Sequence, residues 1–375
     1  MIRLCIVNPY QHGGGAELQI ALLTAALGET ERFEVFYLAR HVSETIRPDA
    51  YRVVRIGRGA RPPFLGYVTD LVPLYRALRA IEPQVIYQRV ACGYTGICAL
   101  YARRHAARLI WHVAHDTDVM PRTLDAGRNV LRRRLEKWSV EYAIPRADCV
   151  VVQTRQQAKL LSRHYGRAAD AVIANFHPEP AERPLKSGAP TVAWIANFKP
   201  WKRPEAFVRL AQALRDLGHA RFIMVGEAPS GASHAGWRDA LMAEIGAAPN
   251  LEYLGSLTHD EVNQLLARAW IFVNTSLHEG FPNTLIQAWL RDTAVVSLSV
   301  DPDGVLESQR VGIFAGDEQR LAQAVRALLT DPVLRAGYVE RARRHVRLVH
   351  SLRNRTALIE LIERAGAPGA KACAA

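Results

Sequence analysis

Hydrophobic residues in the first half of the chain come in short, nearly continuous runs separated by longer amphipathic stretches. The runs are dense in Val, Ile, Leu and aromatic residues, as in strands whose two faces are both buried. Because such runs alternate with helical stretches, the pattern predicts βαβ units and a mainly parallel sheet. The predicted strands are RLCIVNPY, FEVFYLA, YRVVRIG, QVIYQR, RLIWHVA and DCVVVQT, and the predicted helices cover 16–27, 67–81, 94–106 and 129–143.

The same alternation restarts after a polar, proline-rich segment, NFHPEPAERPLKSGAP, which has the composition of a linker. Its strands are TVAWIANF, RFIMVGE, LEYLG, IFVNTS and AVVSLSV. We therefore predict an α/β protein of two similar domains that face a cleft. The predicted boundaries are 1–180 for the first domain, 181–346 for the second, 347–366 for a last helix that packs back on the first domain, and 367–375 for a disordered tail.

Composition narrows the class of protein. The net charge is +12, from 48 Lys and Arg against 36 Asp and Glu, which favours anionic partners such as nucleotide phosphates, nucleic acid or an acidic membrane surface. The five cysteines are scattered without a Cys-x-x-Cys pair, so we expect neutral thiols rather than a disulfide framework or a zinc site. Neither a signal peptide nor a membrane-spanning run is indicated, so we expect a cytoplasmic protein.

The first candidate site is the glycine loop in NPYQHGGGAELQ, directly after the first strand. Gly13 to Gly15 precede a helix that is predicted to start near Ala16. Glycine lets the backbone approach a phosphate or a sugar closely, and a helix start offers unpaired N–H groups. A plain flexible turn explains the same three residues.

The second candidate lies in RLIWHVAHDTD, where a strand is predicted to end. A histidine at a strand end, His112 or His115, can orient a sugar hydroxyl or move a proton. Asp116 and Asp118 follow, but alternate strand residues point to opposite faces. A metal site would therefore need the strand to end between the two histidines, and we do not expect one.

The third and fourth candidates lie in the second domain. In WIANFKPWKRPE, Lys199, Lys202 and Arg203 precede a predicted helix that starts at Pro204, a suitable place for a diphosphate. A solvated surface loop is the alternative.

In LHEGFPNTLIQAW, Gly280 makes a turn and Asn283 is the predicted N-cap of a helix. The amides of Asn283, Thr284 and Leu285 would form an anion site there. Glu279 lies beside it, and a carboxylate in that position suits sugar hydroxyls.

LHEGFPNTLIQAW resembles the nucleotide-binding signature of the family-4 retaining glycosyltransferases of GT-B fold. Their pattern is an acid, Gly-Phe-Pro, an apolar helix start and a second acid eight positions after the first. NPYQHGGGAE resembles the family's first-strand glycine loop, and WIANFKPWKRPE resembles its phosphate-binding arginine–lysine segment. The resemblance implies two Rossmann-like domains, the first for an acceptor and the second for a nucleotide sugar.

The resemblance also implies an activity. A sugar would pass from a nucleotide diphosphate to an acceptor hydroxyl with retention, in polysaccharide or glycolipid assembly, without a metal or another cofactor. Glu279 and His115 would act at the reacting sugar, and His112 would contact the acceptor. The residues implied in donor binding are Gly14, Gly15, Asn197, Lys202, Arg203, Gly255, Ser256, Gly280, Phe281, Pro282, Asn283, Thr284 and Gln287.

Three positions depart from the family's pattern. Gln287 stands in place of the second glutamate, Asn197 in place of the phosphate-binding arginine, and ANFHP in place of an Asn-Gly turn between the domains. Lys202 is then the matching cation for the phosphates. A glutamine both accepts and donates hydrogen bonds, so Gln287 is predicted to serve the ribose hydroxyls in the glutamate's place.

Two other classes of function stay open on the sequence. One is a sugar-nucleotide epimerase or a phosphorylase of the same fold, although no segment suggests the pyridoxal lysine that such a phosphorylase needs. The other is a basic protein that binds nucleic acid or a membrane surface. No nucleic-acid-binding motif supports a role with nucleic acid. The basic run RNVLRRRLEKWSVEY raises the question, with Leu131, Leu135, Trp138 and Tyr142 at helical spacing among Arg132, Arg133, Arg134 and Lys137.

That run has two interpretations. Its apolar stripe is either buried in the first domain, or it belongs to a peripheral contact with an anionic membrane that carries a lipid-linked acceptor.

Overall fold

A computed structural model describes residues 1–43, 49–57, 66–121, 130–182, 184–186, 188–229, 235–367 and 369. The chain divides into two compact units. Met1–Phe176 and Leu352–Ala375 form the first unit, and His177–Ser351 forms the second.

The first unit is built on a parallel sheet of seven strands within the described residues, in the order β3-β2-β1-β4-β5-β6-β7. The strands are β1 (Ile2–Val7), β2 (Phe33–Ala39), β3 (Arg52–Arg55), β4 (Val85–Arg89), β5 (Arg108–His112), β6 (Cys149–Val152) and β7 (Ala171–Val172). The helices are α1 (Gly15–Gly28), α2 (Leu71–Ile81), α3 (Gly93–Arg104), α4 (Val130–Ala143), α5 (Arg155–Tyr165) and, from the end of the chain, α13 (Arg353–Gly366).

The second unit has a parallel sheet of six strands in its described residues, in the order β10-β9-β8-β11-β12-β13. The strands are β8 (Thr191–Ile195), β9 (Arg221–Val225), β10 (Leu251–Tyr253), β11 (Ile271–Asn274), β12 (Ala294–Ser297) and β13 (Ile313–Phe314). The helices are α6 (Pro204–Ala213), α7 (Ala235–Gly246), α8 (His259–Arg268), α9 (Asn283–Leu290), α10 (Val305–Ser308), α11 (Glu318–Thr330) and α12 (Pro332–Val349).

Both sheets are covered on two faces, which explains the nearly continuous apolar runs of their strands. In the first unit, Cys5 and Ile86 face one buried cluster with α2, α3 and α4. Their neighbours Leu4 and Tyr87 face another with α1 and α13. The predicted α/β architecture is confirmed in both units, and β7 and β13, of two residues each, are additional strands that the sequence pattern did not indicate.

The strand order has one reversal point in each sheet. In the first unit the chain runs from β1 outward to β3 and returns to β4 on the other side of β1. In the second unit it runs from β8 outward to β10 and returns to β11 on the other side of β8. The loops after the two strands at such a point diverge, and open α/β sheets bind ligands in the crevice left there.

The segment Asn175–Pro190 is less exposed than a linker of its composition should be. Its described residues form no helix or strand, but Asn175, Phe176 and His177 are buried. Lys186 Nζ donates to the carbonyl oxygens of Ala269 and Arg291, each at 2.7 Å. Lys186 therefore anchors this part of the segment to the second unit. Among the described residues, no helix is both long and apolar enough to cross a membrane.

Candidate functional site

The loops that follow β8 and β11 meet at the reversal point of the second sheet. Trp194 Nε1 donates to Thr275 Oγ1 at 2.8 Å, and Thr275 Oγ1 donates to the Lys202 carbonyl at 2.6 Å. The Leu277 amide donates to the Trp201 carbonyl at 2.8 Å. These bonds fix one loop against the other, although the residues are more than 70 positions apart in the chain.

The two loops bring together the predicted phosphate cation and the predicted sugar-binding acid. Lys202 Nζ and the Glu279 carboxylate form a hydrogen-bonded ion pair, and both side chains are mostly buried. The ammonium group therefore neutralises the acid in the free protein. Because both side chains keep some exposure to solvent, a charged ligand can replace either residue as the partner of the other.

The start of α9 differs from the predicted cap. The helix begins at Asn283, but its N-cap position is Pro282, and no side chain caps it. The prediction that Asn283 is the N-cap is therefore wrong by one residue. The amide of Leu285 donates to the Pro282 carbonyl at 3.2 Å, so it does not belong to the predicted set of outward amides.

The Asn283 side chain has a different partner. Its Oδ1 lies 3.0 Å from Nε2 of His177. Burial lowers the pKa of His177 to about 4, which the bond to Asn283 opposes only in part. The imidazole is therefore neutral at pH 7, and it holds the first residue of the helix.

The turn between Glu279 and α9 is anchored in the core. Gly280, Phe281 and Pro282 are buried, and Thr284 is half-buried. The Phe281 ring lies 4.3 Å from the ring of His350 and 6.0 Å from that of Trp289. We conclude that the Phe281 side chain positions the turn from beneath.

Gln287 is buried, and its Nε2 donates to Asn263 Oδ1 of α8 at 2.9 Å. The predicted ribose partner is thus held by a neighbouring helix. Arg203, predicted at the diphosphate, pairs with Glu318 of α11 at 2.6 Å. The residue has a left-handed backbone, with φ of 50°.

The residues that follow β8, β9 and β10 form a hydrogen-bonded rim on the side of β8 opposite β11. The Gly226 amide donates to the Gly255 carbonyl at 2.8 Å, and the Glu227 amide reaches Asn197 Oδ1 at 3.5 Å. Gly226 has φ of 151°, and a Cβ there would lie 1.8 Å from the Ala196 carbonyl oxygen. Only glycine fits, so Gly226 belongs to the site's framework, although it was not among the residues predicted from the sequence. A glycine directly after a buried strand was the available signal. Ser256 is exposed beside this rim.

In the first unit, the glycine loop leads into α1. Gly13 has φ of 104°, Gly14 is the N-cap residue, and Gly15 is the first residue of the helix, one position before the predicted start. Glu17 lies in the first turn and accepts a bond from Asn8 Nδ2 at 2.6 Å. A carboxylate at this helix start reduces the attraction of the loop for a phosphate.

The two candidate histidines have separate surroundings. His112, the last residue of β5, is buried, with Nδ1 at 2.8 Å from the Tyr87 hydroxyl and 3.2 Å from Arg89 Nη1. Burial, and then the charge of Arg89, lower its pKa well below 6.5. His115 is half-buried and caps a short 3-10 turn, where its Nδ1 accepts from the Thr117 amide at 3.2 Å.

The described residues contain neither a cluster of side chains that could bind a metal ion nor a disulfide bond. No group of three or more His, Cys, Asp or Glu side chains there could hold a metal ion. Four cysteines are buried and form no disulfide among the described residues, namely Cys5, Cys92, Cys98 and Cys149, whereas Cys373 lies outside the described residues.

Helix α4 exposes the apolar stripe that could have been buried. Leu131 is 64% exposed and Trp138 is 66% exposed, with Leu135 also on the surface. The helix instead buries Ser139, whose Oγ donates to the Gly93 carbonyl at 2.8 Å. A Cβ on Gly96 would lie 2.3 Å from that Oγ, so small residues let α3 and α4 approach closely. The interpretation that the stripe is buried is therefore wrong for Leu131, Leu135 and Trp138, whereas Tyr142 packs partly against the core of the first unit. Arg128 and Asn129 lie outside the described residues.

Known proteins resemble the chain along most of its length. A family model described as Glycosyltransferase Family 4 matches residues 13–176, and one described as Glycosyl transferases group 1 matches residues 189–331. The chain is 29% identical over 211 residues to D-inositol 3-phosphate glycosyltransferase of Nocardia farcinica. It is 25% identical over 207 residues to LpsE of Rhizobium meliloti, a lipopolysaccharide core biosynthesis glycosyltransferase. These matches cover 50% and 52% of this chain but 46% and 57% of the relatives, so the chain spans about half the length of the curated relatives that it matches.

Solved structures agree in fold. Sucrose-phosphate synthase of Thermosynechococcus elongatus superposes with a TM-score of 0.78 at 16% identity, covering 97% of this chain and 98% of that chain. HepE of Anabaena, solved with UDP and glucose, gives a TM-score of 0.74 at 17% identity, with 97% and 100% covered. Identities this low show a shared fold and no more. With both family models matched and the fold shared, the chain belongs to the family-4 glycosyltransferases of GT-B fold, the glycosyl transferases group 1.

Proposed function

We propose that the protein is a glycosyltransferase that moves a sugar from a nucleotide diphosphate to an acceptor hydroxyl with retention of configuration. The observation that carries this proposal is the Lys202–Glu279 ion pair, which lies at the reversal point of the second sheet beside the start of α9. A diphosphate and a sugar need a cation and a hydroxyl-binding acid next to each other, and the pair supplies both.

The ion pair suggests how the donor is bound. A diphosphate carries more negative charge than one carboxylate, so it would draw Lys202 away from Glu279. The released carboxylate would then accept hydrogen bonds from hydroxyls of the donor sugar. The partial positive charge at the start of α9 would add to that of Lys202. In this scheme side-chain and helix charges stabilise the leaving diphosphate, and no metal ion is required.

Most of the other predicted donor-binding residues lie in the loops and helices that come after the strands of the second sheet. Gln287 would accept from a ribose hydroxyl through Oε1, while its Nε2 stays on Asn263 and fixes the orientation of the amide. The backbone at Gly255 and Ser256 would lie against the base, and Asn197 would stand near the phosphates. Arg203 would have to leave Glu318 to join them. In the first unit, the backbone of Gly14 and Gly15 would approach the phosphates, His115 would face the sugar, and His112 would serve the acceptor.

The relatives suggest which ligands to test first. HepE was solved with UDP and glucose, and two relatives are named for lipopolysaccharide core biosynthesis and for D-inositol 3-phosphate. We therefore place the reaction in polysaccharide or glycolipid assembly. UDP is the first nucleotide to test. An epimerase of the same fold would convert a UDP-sugar without an acceptor, so an acceptor-dependent release of UDP separates the two activities.

The function is tested by transfer from labelled UDP- and GDP-sugars to a lipid extract or to sugar acceptors. We expect acceptor-dependent release of the nucleotide diphosphate and a product with the donor's anomeric configuration, read by NMR. A product of inverted configuration would contradict retention, and the absence of release with every donor would contradict the transferase. The matched control is Arg320→Gln, because Arg320 is an exposed residue of α11 that pairs only with Asp317 in the described structure.

We further propose that the enzyme works on the surface of an anionic membrane and docks through α4. Basic residues on this helix, Arg132, Arg133, Arg134 and Lys137, surround the exposed Leu131, Leu135 and Trp138. Glu136 pairs with Arg132 at 3.1 Å and Glu141 with Lys137 at 3.7 Å, so four positive charges minus two negative charges leave +2.

Two net charges contribute only about 2 kcal/mol at an acidic surface, since each contributes about 1 kcal/mol. Insertion of Trp138 and Leu131 must therefore supply much of the affinity.

Vesicle co-sedimentation tests the docking. We expect binding to vesicles with phosphatidylserine, weaker binding when the four basic residues become glutamine, and a comparable loss for Trp138→Ala with Leu131→Ser. Leu348→Ser is the control, because Leu348 is 74% exposed on α12. Binding that is unchanged in both α4 variants would refute the proposal.

A further inference from the structure

A row of buried polar side chains lies at the ends of three adjacent strands in the first unit. Arg89 ends β4, and it is paired in register with His112, which ends β5. Val7 is paired with Gln88, so the next residue, Asn8, lies beside Arg89. Residues in register on parallel strands point to the same face. The three side chains therefore share one face at the reversal point between β1 and β4.

The row carries a positive charge without an anionic partner. Arg89 is 2% exposed and forms no ion pair with any described residue. Its guanidinium instead contacts the Tyr87 hydroxyl at 3.3 Å, His112 Nδ1 at 3.2 Å and Asn175 Oδ1 at 2.5 Å. All three are neutral, because burial and the charge of Arg89 keep His112 deprotonated. Burying a cation among neutral partners is costly unless another group balances it.

The carboxylate bonded to this row acts through another residue. Glu17 accepts its bond from Asn8 Nδ2 at 2.6 Å, and Asn8 is the neighbour of Arg89 in the strand register. The other end of that amide, Asn8 Oδ1, is buried and has no hydrogen-bond partner in the described residues. Glu17 thus offsets part of the charge at a distance but leaves the guanidinium without an acid in contact.

The free edge of the guanidinium has the geometry of an oxyanion site. Nε and Nη2 lie on one edge of an arginine, and their parallel N–H groups match the two oxygens of a carboxylate or a phosphate. In Arg89, Nη2 donates to a single amide oxygen, that of Asn175, and Nε is buried without a partner among the described residues. A single neutral amide oxygen, that of Asn175, therefore occupies the guanidinium edge that could bind both oxygens of a carboxylate or a phosphate.

We propose that this row binds an oxyanion of the acceptor, a carboxylate or a phosphate, on the Nε–Nη2 edge of Arg89. The oxyanion displaces the Asn175 amide from Nη2 and satisfies Nε at the same time. The opposite edge stays on Tyr87 and His112, which hold the guanidinium in place. The inference rests on the proposed function only in naming the acceptor as the source of the anion.

Two variants separate this site from a structural role. Arg89→Lys keeps the charge and removes the fork. His112→Glu places a carboxylate in register with Arg89, so the protein supplies its own anion. The probes are sodium glucuronate and inorganic phosphate, compared with glucose plus sodium chloride at equal ionic strength, and thermal shift over a concentration series gives the apparent Kd.

We expect glucuronate, phosphate or both to stabilise the wild type, and Arg89→Lys and His112→Glu to raise the apparent Kd at least tenfold. A response to glucuronate alone identifies a carboxylate, and a response to phosphate alone identifies a phosphate. Phosphate that binds near Lys202 is unaffected by either variant and cancels in the comparison. If His112→Glu does not fold, Arg89→Lys carries the test.

The proposal is overturned if no anion stabilises the wild type beyond chloride, or if Arg89→Lys retains the full response. UDP binding, measured on the same proteins, distinguishes this outcome from failure of the proposed function. Variants that lose the anion response but still bind UDP support the site. An anion response in a chain that binds no nucleotide would leave the site standing and refute the transferase.

Discussion

Lys202→Ala should weaken the binding of a nucleoside diphosphate much more than that of the nucleoside alone. Lys202 is assigned to the phosphates, and a charge-assisted hydrogen bond contributes about 1.5–3 kcal/mol. Since 1.4 kcal/mol is a factor of ten, the Kd of UDP should rise roughly 10- to 150-fold. The Kd of uridine should change by less than about threefold.

The fold should tolerate the substitution. The bonds that hold the loop at this point use the Trp201 and Lys202 carbonyls, which an alanine keeps. The ion pair with Glu279 is mostly buried, so its loss leaves a carboxylate without its cation and should lower the free energy of unfolding by about 1–3 kcal/mol. The melting temperature of Lys202→Ala should therefore fall by a few degrees while the protein stays folded.

The ion pair allows a sharper version of the test. In Lys202→Ala, Glu279 loses its cation and repels the incoming diphosphate. Adding Glu279→Gln should relieve that repulsion, so the double variant should bind UDP more tightly than Lys202→Ala alone. Isothermal titration of UDP and uridine into the four proteins of the cycle gives the coupling energy. Equal weakening of UDP and uridine, or no coupling, would refute the assignment of Lys202 to the phosphates.

Three further predictions concern single side chains. Glu279→Ala should lower the transfer rate at least a hundredfold while the protein stays folded, and near-normal turnover would remove Glu279 from the site. Gln287→Leu removes the hydrogen-bond partner of Asn263, so it should lower the free energy of unfolding, measured with urea, by about 1–3 kcal/mol. The same variant should also weaken UDP binding. Gln287→Glu, in contrast, should keep activity within about tenfold. A leucine variant that binds UDP like the wild type would limit Gln287 to a structural role. The unfolded chain protonates His177 near pH 6.5 and the folded chain near pH 4, so stability should fall by about 2 kcal/mol from pH 7 to pH 5. That loss should shrink in His177→Asn, and an identical pH profile would refute the role of His177.

The fold was predictable because its strands are buried on both faces and its helices alternate with them. The donor loops were predictable for the same reason, since the residues after strands such as β8 and β11 must lie at one edge of the sheet. The pairing of Lys202 with Glu279 was not predictable, because it joins side chains of two loops that are 77 positions apart in the chain.

Other contacts escaped the sequence pattern because tertiary packing decided them. The spacing of Leu131, Leu135 and Trp138 is that of a buried stripe, but the close fit of Ser139 against Gly96 selects another face of α4. Likewise, helical spacing places Gln287 on the side of Asn283, yet α8 provides Asn263 as its partner. In both cases the neighbouring helix determines the role, and no local pattern encodes that neighbour.

Calorimetric titration of the full chain with the diphosphates of uridine, guanosine, adenosine and thymidine tests the central claim most directly. We expect at least one of them to bind at one site per chain, its nucleoside to bind far more weakly, and Lys202→Ala to remove most of this difference. If none of the four binds at millimolar concentration, or if Lys202→Ala binds the preferred diphosphate as tightly as the wild type, the nucleotide site assigned to the second unit is contradicted.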